Sequence, residues 1–337
     1  MAVRNLGCRT GPAGAGHPGI HLHRRHLMEA HPMTTQIRND EVGVFLAREL
    51  EQILARTFEV EYADIKYSSL IPISTEVGSG ADSYTYRVFD KQGSMKVIGD
   101  KAQDLPRADV LRKEVTHPVR SLGTSFAYTI QETRAASMVP GMNLEQRRAN
   151  AVRRAYEEKV QEIAYFGDTP SGMKGFFNND QVDKIVPDHW FDTADVTTDE
   201  MLQLLNEAPT RLVQNSNMKE MPNTMLVPYN VYRVISTTPR STTSDTTVME
   251  FFLRTNPMIT AIEPINELEA SKSGSALSKD RIVVYDRSPD KLQLHVPQPL
   301  EFLPPIRQAL EFSVAAHARI GGLSLYYPKS VMVLEKA

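Results

Sequence analysis

Residues 143–178 read NLEQRRANAVRRAYEEKVQEIAYFGDTPSGMKGFFN, and the rest of the chain is understood outward from this stretch. Leu144, Ala151, Val152, Ala155, Tyr156, Val160, Ile163 and Ala164 recur at the spacing that gathers them on one face of an α-helix. Asn143 is placed to cap its start, and Gln146, three residues on, can reach back in a variant of the capping box. Arg147, Arg148, Arg153, Arg154, Glu157, Glu158 and Lys159 decorate the remainder. Arg153 with Glu157, and Arg154 with Glu158, stand at the i,i+4 spacing of helical ion pairs. Such pairs contribute only tenths of a kcal/mol, so the charged face reads as solvated or as a contact to a neighbour. Gly167 supplies the stop, which sets the helix at 143–167. Roughly 24 residues at about 1.5 Å each make a rod of about 36 Å, long for a compact domain and suited to a strut.

Upstream, Tyr84-Thr85-Tyr86-Arg87-Val88-Phe89 is rich in β-formers, Asp90-Lys91-Gln92-Gly93 carries turn chemistry, and Met95-Lys96-Val97-Ile98 resumes a strand. The reading is a hairpin that is polar along much of its length. Asp100 to Pro118 follows as a charged, proline-punctuated connector, then a strand over Ser125–Ile130. A long polar two-stranded excursion cannot stabilise itself by burying one face, and so needs a partner surface. Further upstream, Ile65–Pro72 looks extended. Val44, Phe45, Leu46, Leu50, Ile53, Leu54 and Phe58 predict an amphipathic helix from Asp40, its N-cap, to about Phe58. Downstream, a helix is predicted over 198–215 with Thr198 as cap, a strand over Thr224–Val227, and short helices near 229–235 and 248–254. Strands are predicted over Ile259–Ile265, Arg281–Tyr285, Lys291–Val296 and Leu323–Tyr327, with a polar loop over Ala270–Ser278. No internal repeat is visible.

The 337 residues are 41% hydrophobic and 23% charged, enough apolar material for one large domain or two modest ones. No apolar run reaches the length of a membrane span. A formal net charge of −3 gives no reason to expect tight nonspecific nucleic-acid binding through a basic face. Cys8 is the one cysteine, so there is no disulfide framework and no thiolate metal cluster, which fits folding in a reducing cytoplasm. Residues 1–32 stand apart, with five of the nine histidines (His17, His21, His23, His26, His31) and a Gly/Pro-rich stretch from Gly11 to Gly19. Such a segment buries too little apolar surface to offset its ordering entropy and is read as a disordered extension. Met33-Thr34-Thr35-Gln36 reads like a natural start, which makes residues 1–32 an upstream read-through or a mis-set start.

The search for chemistry is negative. The Gly167 loop comes within one residue of a phosphate-binding loop, but Met173 intrudes before Lys174, Gly175 replaces the hydroxyl residue, and a helix rather than a strand precedes it. There is no zinc-protease helix and no nucleophile elbow, and Ser288-Pro289-Asp290-Lys291 reads as a turn between strands. His117, His189, His295 and His317 have no spacing that suggests metal ligation. Asp192, Asp195, Asp199 and Glu200 gather at a helix start, where carboxylates favour the dipole. Trp190 beside Phe191 reads as packing. No catalytic residue, cofactor or metal site is assigned, and the chain is read as not an enzyme.

The order of these elements carries a resemblance: a hairpin, the connector Leu105-Pro106-Arg107-Ala108-Asp109-Val110, a strand ending Tyr128-Thr129-Ile130-Gln131-Glu132, and the long helix. The closing Gly167-Asp168…Gly172-Met173-Lys174-Gly175-Phe176-Phe177-Asn178 is its most specific part. Together they resemble the phage major capsid family with the Hong Kong 97-like fold, an α+β architecture. The resemblance extends more loosely from about residue 34 to the C-terminus and leaves residues 1–32 without a counterpart.

It implies an N-terminal arm over 33–73 and an E-loop region over 74–124 whose hairpin lies over a neighbouring subunit. A peripheral domain over 125–184 and 291–337 would be built on the spine helix 143–167, with an axial domain over 185–290. It also implies a homo-oligomer of pentamers and hexamers that closes an icosahedral shell. The shell would be assembled in a bacterial host cytoplasm as the virion capsid of a tailed phage or prophage. Double-stranded DNA would be enclosed without sequence specificity, with scaffold, portal and decoration proteins as further partners and no membrane. Tyr84, Tyr86, Arg87, Lys91, Lys96, Arg153, Arg154, Glu157 and Glu158 are the candidate inter-subunit contacts. Some shells of this fold join an E-loop lysine to a neighbour's asparagine, and Lys91, Lys96 and Lys101 are available without anything marking one of them. Two alternatives stay open: an encapsulin-like shell around protein cargo, and an enzyme with an unrecognised site.

Overall fold

The computed structural model describes residues 64–97, 107–138, 144–192, 196–243, 245–270, 272 and 274–337. The histidine-rich extension, the helix expected over 40–58, Lys101, Asn143 and Asp195 lie outside the described residues. Segment Ile65–Pro72 contains a one-turn helix, α1 (Tyr67–Leu70), rather than an extended run, because Tyr67 and Leu70 are both buried on its inner side. Strand β1 (Ile73–Ser74) follows.

The hairpin forms, with a different second strand. β2 (Ser83–Gln92) pairs antiparallel with β3 (Asp109–Pro118) over ten residues, from Ser83↔Pro118 to Gln92↔Asp109. Met95 and Val97 are instead fully exposed in the coil beyond β2. The part of the charged connector from Asp109 to Pro118 is therefore the partner strand. Its charges are compatible with a strand because the ribbon is solvated on one whole face. β4 (Arg120–Thr129) then ends where Thr129 caps α2 (Ile130–Ser137), Glu132 completing a capping box. That box was present in the sequence as Thr-Ile-Gln-Glu, a helix start where a strand end was expected.

The long helix is α3 (Leu144–Phe166), 23 residues. Val152, Val160, Ile163, Ala164, Tyr165 and Phe166 are buried, while Ala151 and Ala155 of the expected stripe are exposed. After it come β5 (Gly167–Asp168), β6 (Met173–Lys174) and β7 (Asp183–Ile185), then α4 (Thr198–Asn215). The cap of α4 is Thr197, one residue before the expected Thr198, again with a capping box through Glu200. β8 (Thr224–Pro228), α5 (Tyr229–Thr237), α6 (Val248–Thr255), β9 (Ala261–Ile265), β10 (Arg281–Tyr285) and β11 (Leu292–His295) follow the predicted order. β12 (Gln298–Phe302), β13 (Ile306–Gln308), β14 (Glu311–Ile320), β15 (Gly322–Leu325) and β16 (Val331–Glu335) complete the chain; of these only β15 was foreseen.

A five-stranded sheet in the order β7-β16-β10-β8-β9 divides two cores. Leu226, Val283, Tyr285, Val331 and Val333 face one side, where they meet α3 and the Phe176-Phe177 pair. Met225, Val227, Ile282, Val284, Met332 and Leu334 face the other, beneath α4, α5 and α6 with Trp190 and Phe191. Successive residues of one strand thus belong to different cores, which is why these strands read as continuous apolar runs. A second sheet sets β14 against β4 along ten residues and against β12 and β13 on its other edge. A third, β1-β11-β15, lies at the root of the ribbon. Among the described residues no helix is long and apolar enough to cross a membrane.

Candidate functional site

The glycine-rich motif after α3 is a helix terminator. Phe176 N–H donates to Ala164 O (2.9 Å), Phe177 N–H to Tyr165 O (2.8 Å) and the Asn178 side-chain amide to Phe166 O (2.8 Å). These are carbonyls that a helix end otherwise leaves without partners. The return is so close that a Cβ on Gly175 would lie 2.3 Å from the Phe166 carbonyl carbon. Gly167 has φ +75°, and a Cβ there would meet Met173 O at 2.3 Å. Phe177 in turn receives Arg281, whose guanidinium donates to Phe177 O (2.6 Å) and pairs with Glu335 (2.6 Å). The near-match to a phosphate loop is thus the backbone crossing that seats α3 on the central sheet.

The ribbon β2–β3 has two unlike faces, set by its register. Tyr84, Tyr86 and Val88 share one face with His117 and Val115, and all five are half-buried. Thr85, Arg87, Phe89 and Lys91 share the other with Thr116, Glu114, Arg112 and Val110, all exposed. On that face Arg87 (3.0 Å) and Arg112 both bond the Glu114 carboxylate. Arg112 first, by hydrogen bond and charge, and then Arg87 hold its carboxyl below the usual range. Phe89, Val110 and Leu111 are each more than half exposed.

The root of the ribbon is fixed by rings. Tyr84 stacks on His117 (centroids 5.4 Å apart) and tilts against His295 (4.4 Å), while Tyr86 stands edge-on to Tyr326 (4.9 Å). The Tyr84 hydroxyl lies 2.6 Å from Ser324 Oγ and donates to Gly321 O at 3.3 Å. Burial pushes the Tyr84 and Tyr86 phenols up and the His117 and His295 imidazoles down, His295 to about 4.

The structure scatters the sequence-predicted contact residues. Tyr84 and Tyr86 are turned onto their own chain. Arg87 and Lys91 lie on the exposed face of the ribbon, and Lys96 in the coil beyond it. On α3, Arg154 pairs with Glu158 (2.6 Å) as expected. The expected Arg153–Glu157 pair is replaced by other contacts: Arg153 donates to Asn150 Oδ1 of its own helix (3.2 Å), and both side chains also reach other elements. Arg153 lies over the Phe302 ring at 5.5 Å, and Glu157 accepts the Tyr67 hydroxyl at 2.6 Å. Beside them the exposed first half of α3 borders two adjoining grooves that share Tyr156 and Leu300, of about 250 and 380 Å³. Sequence reasoning missed Phe89, Val110 and Leu111 as surface features, since their shared exposure follows only from the true strand partner. Trp190 and Phe191 pack together as read, buried and edge-to-face at 5.7 Å. His189 and His317 join neither the ring cluster nor each other. Among the described residues no group of three or more His, Cys, Asp or Glu side chains could hold a metal ion.

Among the described residues the ribbon is two-stranded, and it stands beside a long helix and a body with two cores. Solved structures similar to it are those of phage-type capsids. The capsid of Myoviridae phage XM1 superposes with a TM-score of 0.75 at 18% identity, covering 87% of this chain and 98% of the other. The structure of Mycobacterium phage Ogopogo gives 0.59 at 15%, covering 88% and 99%. The capsid of a native GTA particle gives 0.59 at 12%, covering 85% and 94%. At these identities the likeness shows the fold, the Hong Kong 97-like fold of phage capsids. No curated protein sequence matches the chain. The sequence model of the major capsid protein family matches residues 93–336. The chain belongs to the major capsid protein family, and it is a structural protein of a phage-type shell.

Proposed function

We propose that copies of this chain close as pentamers and hexamers into an icosahedral shell around double-stranded DNA, held without sequence specificity, as the virion capsid of a tailed phage or prophage. Assembly takes place in the bacterial host cytoplasm, with scaffold, portal and decoration proteins as partners, and the role is structural rather than catalytic. Residues 33–73 are the N-terminal arm and 74–124 the E-loop region. The peripheral domain comprises 125–184 and 291–337, and the axial domain 185–290. The observation that carries this reading is the ribbon β2–β3. Ten paired residues a side leave Phe89 and Val110 in water on one face, a cost that a neighbouring copy removes by covering them. Arg87 and Lys91 on the ribbon, and Arg153, Arg154 and Glu158 on α3, are the charged contacts offered to neighbours. Particles recovered from producing cells, treated with nuclease and then opened, should release protected double-stranded DNA. Particles that release a protein cargo and no DNA contradict the reading.

A further inference from the structure

The ring cluster at the root of the ribbon joins one strand pair, β2–β3, to another, β11–β15. Tyr84 and Tyr86 come from β2, His117 from β3, His295 from β11, and Tyr326 follows β15. The backbone is shaped for it. A Cβ on Gly321 would lie 2.9 Å from the Tyr84 ring and 3.2 Å from His295 Cβ, so the Tyr84 ring seats directly on bare main chain. The body side is itself braced: the Tyr326 hydroxyl lies 3.1 Å from His295 Nε2 and donates to Gln293 Oε1 at 3.1 Å.

We propose that this cluster is an acid-released latch, which holds the ribbon's root against the body while both imidazoles are neutral and lets the ribbon come away and its ladder open when they take up protons, since two strands alone are marginal in water. His117 Nε2 and His295 Nδ1 are both buried with no hydrogen-bond partner among the described residues. A proton added at either makes a buried, charged N–H with no acceptor, and a buried charge without a partner is costly. The surroundings offer no relief. β2 presents the neutral phenols of Tyr84 and Tyr86, β11 adds Gln293, and β15 adds Ser324. β6 presents Lys174, a like charge that bears on His117 and is itself 3.4 Å from Asp180. Glu76, after β1, bears on Tyr326, whose phenol is raised first by burial and then by this carboxylate. The second ring to charge also meets the first, since His117 bears on His295.

The sign follows from linkage. Burial first, then His117, lowers His295 from the ordinary 6.5 to about 4 in the closed latch. A group whose closed-state value is depressed in this way takes its proton more readily in the open state. The closed state therefore loses ground as pH falls below about 6.5 and has lost all it can below about 4. From His295 alone the closed-to-open ratio falls about 30-fold by pH 5. His117, lowered by burial and by Lys174, shifts the ratio in the same direction.

Amide hydrogen exchange on the full chain tests this, with light scattering confirming one assembly state across the series. Corrected for intrinsic rates and referenced to α4, protection of residues 83–92 and 109–118 should fall by about 30-fold or more between pH 7.5 and about 5, reversibly. The His117→Gln/His295→Gln protein should show no such fall. An unchanged ribbon in the parent, or an equal fall in the variant, overturns the latch. Should the variant's ribbon be unprotected already at pH 7.5, ring resonances of the two histidines in the parent decide. Both must titrate below 6.5, together with the loss of protection; rings that titrate near 6.5 while the ribbon stays protected overturn it. The outcome concerns the subunit alone and stands apart from what the shell encloses.

Discussion

Arg281 ties three parts of the chain together, reaching the Phe177 carbonyl and the Glu335 carboxylate from β10 with its side chain almost wholly buried. Removing it leaves the Phe177 carbonyl and the largely buried Glu335 carboxylate without their partner. Arg281→Ala should therefore cost about 3 kcal/mol in urea denaturation. Lys159→Ala breaks an i,i+3 pair with Glu162 that is exposed on both sides, and should stay within about 0.5 kcal/mol. If the two losses were equal, the seating of the Phe-Phe motif would not depend on Arg281. Gly175→Ala should cost about 3 kcal/mol or more, because its Cβ meets backbone on both Phe166 and Gly167 and no side chain can give way. The glycine motif was legible in the sequence as a pattern. Its purpose was not, because the partners of Phe176, Phe177 and Asn178 are carbonyls ten or more residues earlier, which no side-chain alphabet records.

At the level of elements, what could be read was what repeats locally. The α3 stripe, the helices over 198–215 and 248–254, and β10 came from periodicity or apolar runs bounded by turn residues. The hairpin was misdrawn because Asp90-Lys91-Gln92-Gly93 looks like a tight turn, while the true partner begins seventeen residues beyond Gln92 and carries Arg112, Lys113 and Glu114. β14 alternates Val314, Ala316, Ala318 and Ile320 inward, but alanine is a poor strand former and dilutes the signal. β16 is buried on both faces and so has no alternation to find. The corrected register makes its own prediction. Phe89→Ser exchanges a side chain already more than half in water, so subunit stability should change by no more than about 0.5 kcal/mol. If a neighbour covers that ring, each contact loses about 1–2 kcal/mol, and the concentration at which shells form should rise about tenfold. Light scattering against concentration reads this; assembly indistinguishable from the parent would mean that Phe89 is not covered.

For the whole molecule, family membership and fold agree on a shell subunit, and the physical features explain how one chain can be one. The central sheet, with a core on each face, gives a rigid body. α3 stiffens one side, and the ribbon reaches out with more apolar surface than an isolated two-stranded element should expose. The central claim is that the ribbon's exposed face is completed by another copy. Electron cryomicroscopy of particles assembled from the full chain tests it most directly. The account predicts closed shells in which Phe89 and Val110 of each copy are buried against a neighbouring copy. Particles in which that face of the ribbon stays in solvent, or a chain that forms only small soluble oligomers with its shell partners present, would contradict it.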